Sequence, residues 1–160
     1  YKPKTISVDT QIEETQESAR IFELVHAVFK EINSTRLPLD FIKGFFEFNI
    51  LSALGFQPEL TKCIVCERAI DTTQKFGFSI ALGGLVDSDH FFSDPMAVVL
   101  DKPTAEVLCT MTSASLKHFC ACENLAEVTP QIAKISGNFL DYMMEKNLHS
   151  KEFLEEVIDF

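Results

Sequence analysis

The amino-acid sequence alternates between stretches with helical periodicity and one central stretch that lacks it. Apolar residues recur every three to four positions over about 10–33, and the capping-box pattern "TQIE" stands at the start, so we predict a helix there. We expect one apolar stripe of this helix to face the core and a second set of apolar residues to widen the stripe. The stripe consists of Phe22, Val25, Phe29 and Ile32, and the widening residues are Ile21, Leu24 and Val28.

The stretch 39–54 predicts a second helix that is apolar around most of its circumference. Its two apolar faces consist of Phe41, Phe45, Phe48 and Leu51 on one side and of Ile42, Phe46 and Ile50 on the other. A helix of this kind is usually buried, so we expect it at the centre of the domain. Gly55 stands where a left-handed C-terminal cap is expected.

The helical period disappears over about 57–95 and returns afterwards. In this stretch "KFGFSIAL" alternates like a strand and is followed by a turn at Gly83 and Gly84, which predicts a knuckle-and-hairpin insertion. The fold class that we predict is all-α: a helical bundle over 1–160 with a small zinc-knuckle/β-hairpin insertion.

Further helices are predicted in the last third of the chain. Their expected positions are about 104–111, about 113–120, from Thr129-Pro130 onward, and from Ser150 onward. The inward residues of the last two are expected to be Ile132, Ile135, Phe139 and Met143, and then Phe153, Leu154, Val157 and Ile158.

Composition and charge argue against nucleic acid and membranes as partners of this chain. The 160 residues include 15 Phe and no Trp, and the formal net charge is −10, so the chain by itself is a poor candidate for strong nucleic-acid binding. Lys62, Arg68 and Lys75 form a local basic group, for which a solvated loop is the simpler interpretation. An odd number of cysteines at mostly helical spacings indicates reduced thiols, and no apolar run has the length of a membrane span, so we predict a cytoplasmic protein without a membrane partner.

The stretch "TKCIVCERA" carries a C-x-x-C pair, which is the usual first half of a zinc site or the core of a redox motif. A second C-x-x-C is expected about 15–20 residues later, where this chain has "GGLVDSDHF". Asp87 and His90 have the spacing of that second pair, and carboxylate and imidazole groups both bind zinc. We therefore predict a structural zinc site formed by Cys63, Cys66, Asp87 and His90, with Asp89 as an alternative to Asp87.

Other interpretations of the cysteine pair stay open at this level. Asp is a rare ligand in structural zinc sites, so the second pair could also be a remnant of a lost site. A thiol-redox centre normally lies at a helix N-terminus in a βαβ unit, which the surrounding pattern does not predict. The sequence carries no G-x-S-x-G, P-loop, dinucleotide-binding turn or H-E-x-x-H motif, and we predict that it is not an enzyme.

The order of these features resembles the C-terminal half of the RecO family of bacterial DNA repair proteins. That family has the pattern F-E-x-x-L-L-x-x-L-G-[FY]-x-P-x-L-x-x-C-x-x-C, followed by F-S-x-x-x-G-G-L-x-C-x-x-C. The positions that match it are Phe46, Glu47, Ile50, Leu51, Leu54, Gly55, Phe56, Pro58, Leu60, Cys63, Cys66, Phe78, Ser79, Gly83, Gly84 and Leu85, and "SKEFLEEV" resembles the last helix. The chain departs from the pattern at Asp87 and His90, which replace the second cysteine pair.

The resemblance implies a recombination mediator rather than a catalyst. Such a protein anneals complementary strands and, with RecR, helps to load recombinase on DNA coated by single-strand-binding protein, in the cytoplasm at the bacterial nucleoid. It implies an N-terminal OB-fold upstream of residue 1 that makes most contacts with single- and double-stranded DNA. Capture of the acidic tail of single-strand-binding protein, which ends in Phe, needs an apolar pocket with a basic rim, for which Lys43 and Lys117 are candidates. The alternative is a helical interaction or regulatory domain unrelated to DNA, with a structural C-x-x-C loop.

Overall fold

The computed structural model describes residues 8–34 and 36–158, with side chains over 12–34 and 36–150. The described part of the chain is mostly helical and contains one small antiparallel sheet. In chain order the elements are α1 (Val8–Ser34), α2 (Leu39–Ala53), β1 (Phe76–Ser79), β2 (Gly84–Asp87), a first 3₁₀ helix (Ser88–Ser93), β3 (Val98–Leu100), α3 (Lys102–Cys109), a second 3₁₀ helix (Leu116–Ala121) and α4 (Leu125–Ile158).

Helix α2 is the centre of the core, as its apolar circumference predicts. It packs against α1 on one side and α4 on the other. Gly44 allows α4 to approach closely, since a Cβ at this position would lie 3.1 Å from Ile132 Cγ2. Phe48 contacts the rings of Phe78 and Phe139 at centroid distances of 6.0 and 6.3 Å, so one aromatic cluster joins α2, β1 and α4. The left-handed cap at Gly55 is confirmed by a φ of 88°.

The predicted inward stripe of α1 is wrong. Phe22 and Phe29 are 72% and 62% exposed, whereas Leu24 and Val28, which we expected only to widen the stripe, pack against the core. Both sets recur at helical spacing, so periodicity alone does not decide which set faces α2. The helix also begins at Val8, which places Thr10 inside it rather than at its N-terminal cap.

The sheet contains one strand more than the predicted hairpin. Strand β1 lies between β2 and β3 and is antiparallel to both, with Phe76 opposite Asp87 and Leu100. Strand β3 is three residues long and lies beyond the predicted insertion, and a strand so short gives no period-2 signal. The sheet is nevertheless part of the core, since Phe76, Phe78 and Leu85 are almost completely buried.

The predicted boundaries of the C-terminal helices need correction. The stretch expected to be helical at 113–120 forms only the second 3₁₀ helix, and α4 runs without a break from Leu125 through both Pro130 and Ser150. Pro130 removes one backbone hydrogen bond near the start of α4, and Ser150 Oγ donates to the carbonyl of Lys146 instead of capping a new helix. The expected burial of Ile132, Ile135 and Phe139 is confirmed and Met143 packs against that core, while the side chains expected inward at 153–158 lie outside the described residues.

Candidate metal centre

The two cysteines lie at the ends of a tight backbone loop. The amide of Cys63 donates to the carbonyl of Arg68 and the amide of Glu67 donates to the carbonyl of Cys63, each over 2.8 Å. Glu67 closes the loop in the left-handed region, with a φ of 62°. This turn directs the side chain of Arg68 back toward the cysteines, where its Nε lies 3.3 Å from Cys66 Sγ.

Backbone hydrogen bonds attach this loop to the beginning of β2. Ile64 N donates to Leu85 O over 2.8 Å, and Leu85 N donates to Glu59 O over 2.9 Å. Gly84 makes the approach possible, because a Cβ at this position would lie only 2.8 Å from the Glu59 carbonyl oxygen. The far end of β2 therefore brings Asp87 next to the cysteine loop.

Glu59 stabilises the segment that leads into the cysteine loop. Its carboxylate accepts hydrogen bonds from Thr61 N at 2.9 Å, Thr61 Oγ1 at 2.6 Å and Lys62 N at 3.2 Å. Burial opposes ionisation of Glu59, but these donors outweigh it and hold the pKa of the carboxyl below its ordinary value. Sequence reasoning missed this residue, and the pattern E-x-T is its only local signal.

The structure brings together all four residues that the spacing predicts. The first 3₁₀ helix turns the chain after Asp87, so that His90 returns to the same place. The ligand atoms of Cys63, Cys66, Asp87 and His90 lie within 4.8 Å of one another. Individual separations are 3.9 Å between Cys63 Sγ and His90 Nδ1, 3.2 Å between Cys66 Sγ and Asp87 Oδ2, and 2.6 Å between His90 Nδ1 and Asp87 Oδ1.

This arrangement fits the requirements of a four-coordinate zinc ion. Zinc–ligand bonds of about 2.0–2.3 Å in a tetrahedron separate the ligand atoms by about 3.3–3.8 Å. The separations of 3.2 and 3.9 Å lie close to that range. The contact of 2.6 Å between His90 and Asp87 must lengthen, and any separation near the 4.8 Å limit must shorten, when an ion binds. Cys63 is buried and the other three side chains are partly buried, so that the site lies at the surface end of the sheet.

Of the two candidate aspartates, the geometry favours Asp87. Burial opposes its ionisation, but hydrogen bonds with His90 and Cys66 outweigh that effect and hold the pKa of the Asp87 carboxyl below its usual value. Asp89 points to solvent, with 72% of its side chain exposed, and pairs with Arg68 at 3.4 Å. Asp89 therefore contacts the site through Arg68 rather than as a member of the cluster.

The candidate rim lysines have different surroundings from those expected. Lys43 pairs with the buried Glu47 at 2.6 Å, and Lys117 is exposed on the second 3₁₀ helix. A cavity of about 260 Å³ between α1 and α2 is lined by another basic residue, Arg20, together with Leu24, Asn49, Ser52, Ala53, Gln57 and Thr112. Sequence reasoning missed Arg20 because the position of the cavity depends on how α1 packs on α2.

Comparison with known protein families identifies the chain. The family model described as "Recombination protein O C terminal" matches residues 8–152. The chain belongs to this family. The RecO resemblance seen in the sequence is thereby confirmed. The cysteine loop, the sheet and the helices lie within the matched region, except for the last residues of α4. No solved structure matches the chain at a significant level.

Curated proteins named DNA repair protein RecO give the same assignment. The chain is 28% identical to that of Lactobacillus helveticus over 152 residues, which cover 94% of this chain and 58% of the relative. It is 25% identical to that of Desulforamulus reducens (94% of this chain, 57% of the relative) and 26% identical to that of Bacillus velezensis (93% and 57%). The chain thus spans somewhat less than three-fifths of the length of these relatives. Over residues 8–34 and 36–158, no helix has the length and apolar character that crossing a bilayer requires.

Proposed function

We propose that this chain is the helical platform of a recombination mediator in bacterial DNA repair. The observation that carries the proposal is the family match over 8–152. The names of the curated relatives indicate that the process is DNA repair. In this role the whole protein anneals complementary strands and, with RecR, helps to load recombinase on DNA coated by single-strand-binding protein. It works in the cytoplasm at the nucleoid and holds other molecules together without breaking covalent bonds.

The charge of the chain supports a division of labour within the whole protein. A net charge of −10 repels phosphate backbones, so DNA contacts belong mainly to the N-terminal OB-fold that the family resemblance implies. The helical part then supplies docking surfaces for protein partners. Its buried aromatic cluster makes it a rigid support for such surfaces.

We place the tail of single-strand-binding protein at the cavity between α1 and α2. Arg20 supplies the positive charge that an acidic tail requires, and Leu24 supplies apolar surface. Ser52 Oγ lines the same cavity, is buried, and has no hydrogen-bond partner within the described part of the chain. An acidic peptide that ends in Phe matches this combination of groups better than it matches Lys43, which Glu47 already neutralises.

The zinc site has a structural role in this proposal. Four protein ligands close a tetrahedral zinc site and leave no position for a substrate. The ion stabilises the loop between Cys63 and Arg68 against the end of β2. Asp87→Asn is expected to weaken zinc binding by more than the roughly 10–100-fold typical of residues outside the ligand set, whereas Asp89→Asn retains the metal. The opposite order in a chelator competition would show that Asp89 is the ligand.

Strand annealing and peptide capture by the full-length protein test the proposed function. We expect annealing of complementary strands coated with single-strand-binding protein, and binding of a fluorescent peptide with the sequence of its acidic tail. Arg20→Glu is expected to weaken peptide binding by about tenfold or more, because it places a like charge at the cavity. Lys117→Glu makes the same change in charge on an exposed residue and is expected to change binding by less than about twofold.

Two results would contradict the proposal at different levels. Equal loss of peptide binding in both variants would mean that only net charge matters, and the assigned cavity would be wrong. If the full-length protein neither anneals strands nor captures the peptide, the mediator role itself fails. A helical interaction domain unrelated to DNA would then be the better description.

A further inference from the structure

Arg68 lies against the metal centre without belonging to it. Its Nε donates to Cys66 Sγ at 3.3 Å, and its Nη2 lies 3.6 Å from Asp87 Oδ2. The same Nη2 donates to Asp89 at 3.4 Å on the solvent side, so the guanidinium lies between two ligands and an outer carboxylate. The planar fork of an arginine suits such simultaneous contacts, whereas a lysine ammonium is a single point charge.

The ligand set explains why a positive charge is needed at this place. Two thiolates and one carboxylate around a divalent zinc ion leave one net negative charge, because the imidazole of His90 is neutral. The single positive charge of the Arg68 guanidinium offsets the charge of the ion and its four ligands, with Asp89 counted separately as an outer, exposed carboxylate. Lys62, which directly precedes the loop, instead pairs with Glu67 at 3.5 Å. Lys75 lines the same surface cleft as Arg68 and Asp87.

The position of Arg68 is built into the backbone of the loop. The hydrogen bond between Cys63 N and Arg68 O and the left-handed conformation of Glu67 fix where its side chain starts. Since 64% of the side chain is exposed, water screens its charge over longer distances. Its influence therefore depends on the one direct hydrogen bond to Cys66 and on proximity to Asp87.

We propose that Arg68 is a positioning residue of the metal centre, whose guanidinium neutralises the four-ligand set and orients Cys66 and Asp87 for a divalent zinc ion. This inference rests on the proposed zinc site and adds to it a residue outside the ligand set. The neighbouring groups that face Arg68 are Cys66, Asp87 and Asp89.

Zinc competition with a chromophoric chelator, at fixed pH in the full-length protein, tests the proposal. Arg68→Gln keeps a hydrogen-bonding side chain but removes the charge, and is expected to weaken zinc binding by about 10–100-fold. Arg68→Lys keeps the charge without the fork and is expected to fall between Arg68→Gln and the natural protein. Lys62→Gln removes an equal charge from the position that directly precedes the loop, and is expected to change zinc affinity by less than about twofold.

Cobalt substitution supplies a second measurement, which separates positioning from loss of a ligand. At saturating Co²⁺, Arg68→Gln is expected to retain the thiolate charge-transfer bands of a tetrahedral site, because both cysteines still coordinate. Unchanged zinc affinity in Arg68→Gln, or an equal loss in Lys62→Gln, would overturn the role of Arg68 and leave the zinc site standing. Failure of the natural protein to bind zinc would overturn the site itself, and the inference with it.

Discussion

The aromatic core and the cysteine loop are held together in different ways. Phe48, Phe78 and Phe139 come from three separate elements, are almost completely buried, and contact one another ring against ring. The loop from Cys63 to Arg68 buries little apolar surface, and Val65 is 41% exposed. Apolar burial stabilises the first region whatever is bound. The second depends on backbone hydrogen bonds and, in the proposed zinc site, on the bound ion.

This difference indicates that the aromatic core stabilises the whole domain, whereas the cysteine loop is a peripheral segment attached to it. Strand β1 belongs to the core through Phe76 and Phe78, while β2 connects the core to the loop through Gly84 and Leu85. We therefore expect damage to the core to unfold the whole domain. Substitutions in the loop, or loss of its metal, should change the structure of the loop without unfolding the rest of the domain.

The largest expected effect is the removal of a ring from the core. Phe48→Ala leaves a cavity between α2, β1 and α4 and is expected to lower the free energy of unfolding by about 3–5 kcal/mol. Phe22→Ala removes an equal ring from the exposed face of α1 and is expected to change it by less than about 0.5 kcal/mol. Urea unfolding of both variants measures the difference. Similar losses in the two variants would mean that α1 buries the face that the structure shows as exposed.

A smaller effect is expected at the junction of the two regions. Gly84→Ala places a Cβ against the Glu59 carbonyl oxygen and is expected to lower the free energy of unfolding by about 1–3 kcal/mol, with weaker zinc binding. Gly137→Ala is the matched control, since its nearest atom would be Lys43 Nζ at 4.0 Å, and a helical alanine stabilises by up to about 1 kcal/mol. A Gly84→Ala protein with unchanged stability and zinc affinity would contradict the close contact between Glu59 and β2.

The sequence predicts these two regions unequally well. The central position of helix α2 was predictable, because a helix that is apolar around most of its circumference is buried. The spacing of Asp87 and His90 was sufficient to predict that both lie beside the cysteines. The inward face of α1 was not predictable, since its two apolar sets differ only in what packs against them. The contact of Arg68 with Cys66 depends on the left-handed conformation of Glu67. Because non-glycine residues rarely adopt this conformation, a glutamate in the sequence does not predict it.

The smallest expected effect is a pH dependence of the segment that precedes the loop. Because the folded-state pKa of Glu59 is depressed, its stabilising contribution is complete above the unfolded-state pKa and is lost as the pH falls through the folded-state value. Glu59→Gln is therefore expected to destabilise the metal-free protein at neutral pH by less than about 1 kcal/mol and to have no effect at strongly acidic pH. Unfolding curves in chelator at both pH values measure this. An equal effect of the substitution at both pH values would show that the Glu59 charge is not involved.

The most direct test of the account is hydrogen exchange in the full-length protein before and after removal of metal by a chelator. We expect about one zinc per chain by elemental analysis. We also expect metal removal to accelerate exchange of the amides of Cys63, Ile64 and Glu67 while those of α2 stay protected. Absence of zinc from protein with a fully protected loop would contradict the metal centre, and loss of α2 protection together with the metal would contradict the separation of core and loop.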